Sequence, residues 1–224
     1  MIGVRDAAAA VADRLYQVRM QATHLVGRTP SERYRVGDLA PVLLLPGVYE
    51  TWQFLRPVAD RLNDLGHPIH TLPQLGYNLL TVAESAALAQ RYLDEHNLVG
   101  VVIVAHSKGG LIGKHMMVTD DREGRIDCLI AVNTPFGGST LADWAPVRTL
   151  RAFSPRDETV MTLAANRAAN ARITSIYSRL DPLIPGGSEL DGATNSRLSM
   201  VGHFRPLGSE TLFTVVEDAI ARCG

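Results

Sequence analysis

The stretch VVIVAHSKGG, Val101 to Gly110, runs through five apolar residues and then meets a histidine, a serine, a lysine and two glycines. Such an apolar run is typical of a strand that is buried on both faces. A helix is predicted directly after it, over about residues 110–118. A buried strand that stops at a polar residue flanked by small ones usually serves chemistry. The stretch therefore indicates both the centre of a sheet and a functional site.

The five residues AHSKG, Ala105 to Gly109, fit the small-x-Ser-x-Gly pattern of a nucleophile elbow. This turn is so tight that side chains two positions before and after the serine would collide, and Ala105 and Gly109 are small. The overlapping KGGLIGKH differs from a phosphate-binding loop. Lys108 stands where its first glycine belongs, and His115 stands where Ser or Thr belongs. We therefore interpret Ser107 as a nucleophile rather than part of a nucleotide site.

Outward from this stretch, apolar runs alternate with helical stretches along the 224 residues. Six runs predict strands: PVLLLPG, HPIHTLP, VGVVIVA, CLIAVNTP, RITSIYS and RLSMVG. Helices are predicted at about 52–65, 82–96, 110–118 and 209–221. The alternation indicates a three-layer α/β fold with a mostly parallel, six-stranded sheet and right-handed crossovers.

Composition narrows the class of protein. Lys plus Arg number 22 and Asp plus Glu number 23, for a net charge of −1, so nothing in the charge indicates a nucleic acid or an anionic membrane as partner. Cys128 and Cys223 are expected to be free thiols, and no Cys/His spacing predicts a metal site. No run is long enough to span a membrane, and the N-terminus is a poor signal peptide, which favours a cytoplasmic protein.

Two segments have alternative interpretations. Residues 1–40 predict an amphipathic helix and a linker in front of a domain over 41–224, from apolar residues at three- and four-residue steps: Val4, Ala8, Val11, Leu15, Val18 and Ala22. We favour a helix packed on its own domain over one docked on a partner or a membrane. Segment 134–171 holds no strand-like run. It is either a cap or lid over the site or a pair of crossover helices.

In AHSKG and its strand–helix context, the chain resembles the α/β-hydrolase superfamily, in particular its small lipases and esterases, from about Val42 onward. The resemblance implies the α/β-hydrolase fold and the chain order nucleophile, acid, base. The family's acid follows the strand two places after the elbow, here Asp181 in IYSRLDPLIP. Its base follows the last strand, here His203 in RLSMVGHFRPL. Both also follow predicted strands, at the edge where open α/β sheets place their sites. Glu189 and Asp191 are fallback acids.

The resemblance also implies an oxyanion hole made by the backbone N–H groups of Lys108 and Val48, with Tyr49 as a near alternative to Val48. We expect the Lys108 side chain to stay in solvent. Tyr49, Trp52 and Leu183, together with apolar residues of segment 134–171, are expected to bind the acyl part of a substrate.

Other histidines are weaker candidates for the base. His106 adjoins the serine, but the elbow points neighbouring side chains different ways, so we expect it to pack beneath the turn. His67 and His70 flank the second strand. Three others are expected on the surface or on helices: His24, His96 and His115.

The sequence thus predicts a serine hydrolase that cleaves a small-molecule ester or lipid through an acyl-enzyme, as esterases and lipases do, without cofactor or metal. Three alternatives stay open: an acyltransferase, an amide or thioester hydrolase with the same triad, and a non-catalytic binding protein on this scaffold. The resemblance has two departures. Phe136 in NTPFGGS stands where many lipases carry histidine, and only six strands are readable, without the first two strands of larger relatives. The sequence does not predict the oligomeric state.

Overall fold

One six-stranded, all-parallel sheet forms the centre of the molecule. The computed structural model describes residues 4–26 and 30–223, with the side chains of residues 4, 5 and 23–26 outside the described part. The strands are β1 (Val42–Leu45), β2 (Ile69–His70), β3 (Val101–His106), β4 (Ile126–Val132), β5 (Ile173–Leu180) and β6 (Thr194–Val201). Their order is β2-β1-β3-β4-β5-β6, and each neighbouring pair is parallel. The predicted six-stranded α/β fold is confirmed.

Helices cover both faces of this sheet. They are α1 (Val4–Val26), α2 (Arg56–Asp64), α3 (Val82–Glu95), α4 (Lys108–His115), α5 (Arg148–Arg151), α6 (Glu158–Ala165) and α7 (Glu210–Ile220). Alternate strand residues enter opposite cores. Leu43 and Ile103 pack with α3, α4 and α6, whereas Leu44 and Val104 pack with α2 and α7. Both faces of the central strands β1, β3 and β4 are buried, which explains their nearly continuous apolar runs, whereas the edge strand β6 is mostly polar and partly exposed.

Helix α1 packs on the domain through a different face from the predicted one. The predicted stripe faces solvent, with three of its residues more than half exposed: Val11 (61%), Leu15 (66%) and Val18 (61%). Asp13 is buried instead, and Tyr16 and Met20 pack against the core on the α2 and α7 side. Asp13 accepts three backbone N–H groups, a set of contacts that no aliphatic residue could make. Among the described helices, none is long and apolar enough to cross a membrane.

Segment 134–171 consists of short helical pieces: two 3-10 turns at 140–144 and 168–172 flank α5 and α6. Phe153 and two residues of α6, Val160 and Leu163, are buried in the core that α3 and α4 share. Trp144, in contrast, is 88% exposed. The part around α6 is therefore a crossover packed on the sheet, while a lid movement of the part around Trp144 stays a prediction.

Cys128 and Cys223 form a disulfide, which corrects the expectation of two free thiols. Cys128 lies on β4 and Cys223 follows α7, 95 residues later in the chain. A pair so far apart has no spacing signature, and only the packing of α7 against β4 brings the two sulfurs together. Disulfides persist in oxidising compartments and are rare in the cytosol. The disulfide therefore argues against the predicted cytoplasmic location. That location stays a prediction.

Replacing both cysteines by serine is expected to lower the free energy of unfolding by about 4 kcal/mol, because the bond closes a loop of 95 residues in the unfolded chain. Urea denaturation without reductant measures the change. Wild-type protein in dithiothreitol should lose a similar amount, which is the matched control. A loss of less than about 1 kcal/mol in both samples would contradict a formed disulfide.

Lys114, on α4, is a fully buried amine. Its Nζ atom has no hydrogen-bond partner in the described part of the chain and lies 5.8 Å from the centre of the Phe136 ring. The π face of the Phe136 ring faces the amine, so Phe136 stabilises the charged form of Lys114 through a cation–π contact. Burial lowers the pKa of Lys114 to about 8, since a charged amine is costly to hold in an apolar interior.

Lys114→Met is therefore expected to raise the free energy of unfolding at pH 7 by about 2 kcal/mol. In the wild type, stability should increase between pH 8 and 10.5, because the unfolded chain keeps a proton that the native amine has lost. The pKa of Lys108 is also lowered to about 8, so the variant should keep part of this increase. Thermal and urea unfolding across this range measure both effects. A Lys114→Met variant that is less stable than the wild type at pH 7 would contradict the first expectation, and a wild type whose stability does not rise between pH 8 and 10.5 would contradict the second.

Candidate active site

Ser107 lies in the sharp turn between β3 and α4. Its φ of 52° and ψ of −119° fall in a region that residues with a side chain rarely adopt. Gly109 is required here, because a Cβ at this position would lie 2.0 Å from the carbonyl oxygen of Leu45. Strand, strained serine and helix thus follow one another as a nucleophile elbow needs, at the carboxyl edge of the sheet.

Asp181 and His203 meet at the same edge. Asp181 directly follows β5, His203 follows β6 by two residues, and both are buried. His203 Nδ1 lies 2.6 Å from Asp181 Oδ2, and Asp181 Oδ1 accepts the Leu183 N–H at 2.8 Å. Burial alone would raise the pKa of Asp181, but the His203 imidazole and the Leu183 N–H outweigh it and hold the pKa below its ordinary value. Asp181 is therefore a carboxylate at neutral pH.

Ser107 and His203 line one cavity of about 290 Å³. Its apolar wall combines segment 134–171 with the loop after β5: Leu141, Ala142, Leu150, Phe153, Leu183 and Ile184. Helix α1 contributes two polar lining residues, Arg14 and Gln17. Tyr49 and Leu183, two of the predicted substrate-binding residues, line the cavity, and their role in binding stays a prediction.

Trp52, the third predicted substrate-binding residue, is wrongly assigned. It does not line this cavity, and its ring is buried in the core on the α2 and α7 side, edge-on to Tyr34. The reason is local. Trp52 begins a 3-10 turn that runs into α2, and the inner face of this turn packs on the sheet.

Two backbone N–H groups beside Ser107 are available to an oxyanion. Within the described residues, neither the Val48 N–H nor the Lys108 N–H has a protein acceptor. Lys108 is the first residue of α4, and Val48 lies in the turn after β1 on the cavity wall. Tyr49, the near alternative, donates its N–H to the carbonyl oxygen of Tyr77 at 2.8 Å. Of the three predicted donors, the Val48 and Lys108 N–H groups remain without a protein acceptor in the described part of the chain, and their role in an oxyanion hole stays a prediction.

Solved structures with the same architecture are numerous, although no protein-family model matches the chain. The Bacillus licheniformis lipase BlEst2 in its mature form aligns with a TM-score of 0.64 at 14% identity, over 83% of this chain and 96% of that one. A structure from a study of carboxylesterases of Nitrososphaera gargenis aligns at 0.61 and 14%, over 83% and 92%. An extracellular alpha/beta-hydrolase from a Paenibacillus species aligns at 0.57 and 16%, over 83% and 99%.

The chain has the α/β-hydrolase fold. Structural similarity at 14–16% sequence identity shows the fold alone. The chemistry has to be argued from the residues of the site. At the level of sequence, 161 residues are 27% identical to the UvrABC system protein B of Methanothermobacter thermautotrophicus. That match covers 69% of this chain but only 25% of the other protein, so this chain spans a small part of that relative. The likeness in fold is the stronger finding.

Behind Ser107, this α/β-hydrolase fold holds a buried pair that sequence reasoning missed. His106 Nδ1 lies 2.8 Å from Glu50 Oε1, and His106 Nε2 lies 3.0 Å from the carbonyl oxygen of His203. Both ring nitrogens face acceptors, so we assign an imidazolium. Burial would lower the pKa of His106, but the Glu50 carboxylate and the His203 carbonyl raise it overall. His106 is therefore not a base for Ser107.

Glu50 also orders the loop after β1. Its Oε2 accepts the Gly47 N–H at 2.9 Å, and a Cβ at Gly47 would lie 2.6 Å from Glu50 Oε1. The Glu50–His106 pair thus ties the loop that presents the Val48 N–H to the loop that carries His203. The only sequence signal was a carboxylate three residues after Gly47 in PGVYE, next to no recognised motif.

The side chain of Lys108 is buried, which corrects the expectation that it stays in solvent. Its Nζ donates to the carbonyl oxygens of Asn78, at 2.9 Å, and Leu80. The loop over residues 76–80 lies across the start of α4 and offers these acceptors, so the amine is drawn away from water. Burial lowers the pKa of Lys108 to about 8.

The remaining candidates lie elsewhere. Glu189 is exposed, and Asp191 pairs with Arg167 at 2.6 Å on the surface, so neither fallback acid approaches His203. Four other histidines have partners of their own: His67 with the Ala40 carbonyl, His70 with the Tyr92 hydroxyl, His96 with the Tyr92 carbonyl and His115 with Asp120. The His24 side chain lies outside the described residues. In the described part, no group of three or more His, Cys, Asp or Glu side chains could hold a metal ion.

Proposed function

We propose that this protein is a serine hydrolase that cleaves carboxylic esters through an acyl-enzyme intermediate. One observation carries the proposal. Ser107, held in a strained turn, shares a cavity with His203, whose Nδ1 is 2.6 Å from the buried carboxylate of Asp181. A serine needs a neighbouring base to become a nucleophile, and a base needs a partner that fixes its tautomer.

Each group has a defined step. Ser107 Oγ attacks the ester carbonyl while His203 Nε2 takes the serine proton, and Asp181 stabilises the imidazolium that forms. The N–H groups of Val48 and Lys108 donate to the oxyanion. Collapse of the tetrahedral intermediate breaks the ester C–O bond, and His203 returns its proton to the leaving alcohol. Water then repeats the sequence on the acyl-enzyme and releases the acid.

In this proposal, the acyl chain binds against the apolar wall of the cavity. Segment 134–171 and the loop after β5 provide the apolar side, and the volume of about 290 Å³ suits a short to medium acyl chain rather than a long one. In this proposal, the catalytic domain spans residues 41–224, and the part of segment 134–171 around Trp144 acts as its cap.

Hydrolysis of p-nitrophenyl esters from acetate to palmitate tests the proposal, with labelling by a fluorophosphonate as a second readout. We expect turnover to peak at short to medium chains and the label to attach to Ser107. Labelling without ester turnover would favour an acyltransferase or an amide or thioester hydrolase, because only an activated serine reacts. A folded protein that neither reacts nor turns over any ester would contradict the proposal and favour a binding protein.

A further inference from the structure

A single carboxylate on α1 binds the backbone of the loop that carries the proposed base. Asp13 Oδ2 accepts the N–H of His203 at 3.0 Å, and Oδ1 accepts those of Phe204 at 2.8 Å and Arg205 at 2.7 Å. Asp13 is only 3% exposed, although it lies 190 residues from His203 in the chain. Removing a carboxylate from water costs free energy, so a buried carboxylate needs several hydrogen-bond donors.

The loop is shaped to receive this side chain. Gly202 has a φ of 128°, and a Cβ there would lie 2.4 Å from Asp13 Oδ1. One turn further along α1, Tyr16 packs where a Cβ at Gly208 would lie 2.8 Å from its hydroxyl oxygen. Two glycines thus permit two close approaches of α1, one at each end of the loop over residues 202–208. These two close approaches are a second observation, beside the hydrogen bonds of Asp13, that α1 fits this loop.

The carbonyl oxygen and Nδ1 of His203 are held as well. Its carbonyl oxygen accepts from His106 Nε2 at 3.0 Å and from Asn133 Nδ2 at 2.8 Å, and its Nδ1 contacts Asp181. These partners come from the strand ends of the sheet. Asp13 comes from a helix outside the six-stranded core and fixes the one backbone group that the strand ends leave unbound.

We infer that Asp13 is a positioning residue for His203 and that α1, through Asp13, helps to form the active site. The inference rests on the proposed function. By fixing the His203 N–H, Asp13 sets the direction in which the imidazole meets Ser107. A displacement of about 1 Å at such a group can cost about 100-fold in rate. Arg14 and Gln17, next to this contact on α1, line the same cavity.

Asp13→Asn is the first test. The amide oxygen can still accept from Phe204 and Arg205, while its NH₂ group meets the His203 N–H donor to donor. We expect kcat for a p-nitrophenyl ester to fall by about 10- to 100-fold with KM within about 2-fold. The His203 Nδ1–H proton resonance, followed by NMR, should shift or broaden. A merely structural role would lower stability and leave this resonance and the kcat of the folded protein unchanged.

Asp6→Asn is the matched control. Asp6 lies on the same helix and binds Arg179 of β5, so the variant removes an equal charge and one anchor of α1 without touching the loop of His203. We expect kcat and the resonance to match the wild type. If Asp13→Asn fails to fold, Asp13→Glu retains the charge but adds one methylene group. It should lower kcat by about 10-fold through displacement of the loop.

The outcomes separate this inference from the proposed function. Loss of kcat at nearly constant KM, confined to the Asp13 variants, supports the inference. A folded Asp13 variant with kcat within 2-fold of Asp6→Asn and an unchanged resonance overturns it. If the wild type hydrolyses no ester, the proposed function fails, but a resonance that changes in Asp13→Asn and not in Asp6→Asn still supports the positioning of His203.

Discussion

Ser107→Ala is expected to lower kcat for ester hydrolysis by about 10⁶-fold, the loss recorded when the nucleophile is removed from a serine protease triad. Without Oγ no acyl-enzyme forms, and only the slow attack of water remains. That attack would still benefit from the N–H groups of Val48 and Lys108. KM should change little, because the apolar cavity wall is untouched. Steady-state kinetics with a short-chain p-nitrophenyl ester, compared with the wild type, measures the change.

The cavity offers a matched control for this result. Ser139 lines the same cavity, but its hydroxyl donates to the Leu183 carbonyl oxygen at 2.8 Å, away from any base. Ser139→Ala should therefore keep both turnover and fluorophosphonate labelling, whereas Ser107→Ala should lose both. Persistent labelling in Ser107→Ala, or its loss in Ser139→Ala, would show that the reactive serine was assigned wrongly.

Asp181→Asn is expected to lower kcat by about 10⁴-fold while the fold is kept. The amide is nearly isosteric and can still accept the Leu183 N–H. Its NH₂ group, however, would face His203 Nδ1 and favour the tautomer that carries the proton on Nε2, where it cannot accept from Ser107. Kinetics over a range of pH measures the loss, and an intact thermal transition excludes unfolding as its cause.

Acid pH provides a second readout for Asp181. Its pKa is lower in the native state than in the unfolded chain, so its contribution to stability is present above the unfolded value. This contribution is lost as the pH falls through the native value. The wild type should therefore lose stability on acidification by more than Asp181→Asn does.

The two fallback acids serve as controls for Asp181. Glu189→Gln and Asp191→Asn remove one carboxylate each from the same loop, on side chains that face solvent or Arg167. Both variants should keep kcat within about 2-fold. A large loss in either of them, with Asp181→Asn nearly active, would move the acid to the other carboxylate.

Local patterns carried the sequence analysis a long way. The run from Val101 into AHSKG predicts strand, turn and helix, because apolar periodicity and small residues act over a few positions. The resemblance to the α/β-hydrolase superfamily named Asp181 and His203, and their positions after predicted strands agreed with it, because parallel strands end at one edge of a sheet. Trp52 was misplaced because its apolar character and its position after the first strand do not give the direction of its side chain.

What remained hidden depends on contacts between distant parts of the chain. The apolar stripe of α1 predicts that this face is buried. Instead, three N–H donors of the loop after β6 bind Asp13, so the face that carries Asp13 is buried and the stripe is exposed. The Glu50–His106 pair and the Cys128–Cys223 bond likewise join residues 56 and 95 positions apart. Hydrophobic periodicity predicted the sheet, and the small residues of AHSKG predicted the proposed nucleophile. Buried polar pairing, which depends on where each donor finds its acceptor, was decided only by the tertiary structure.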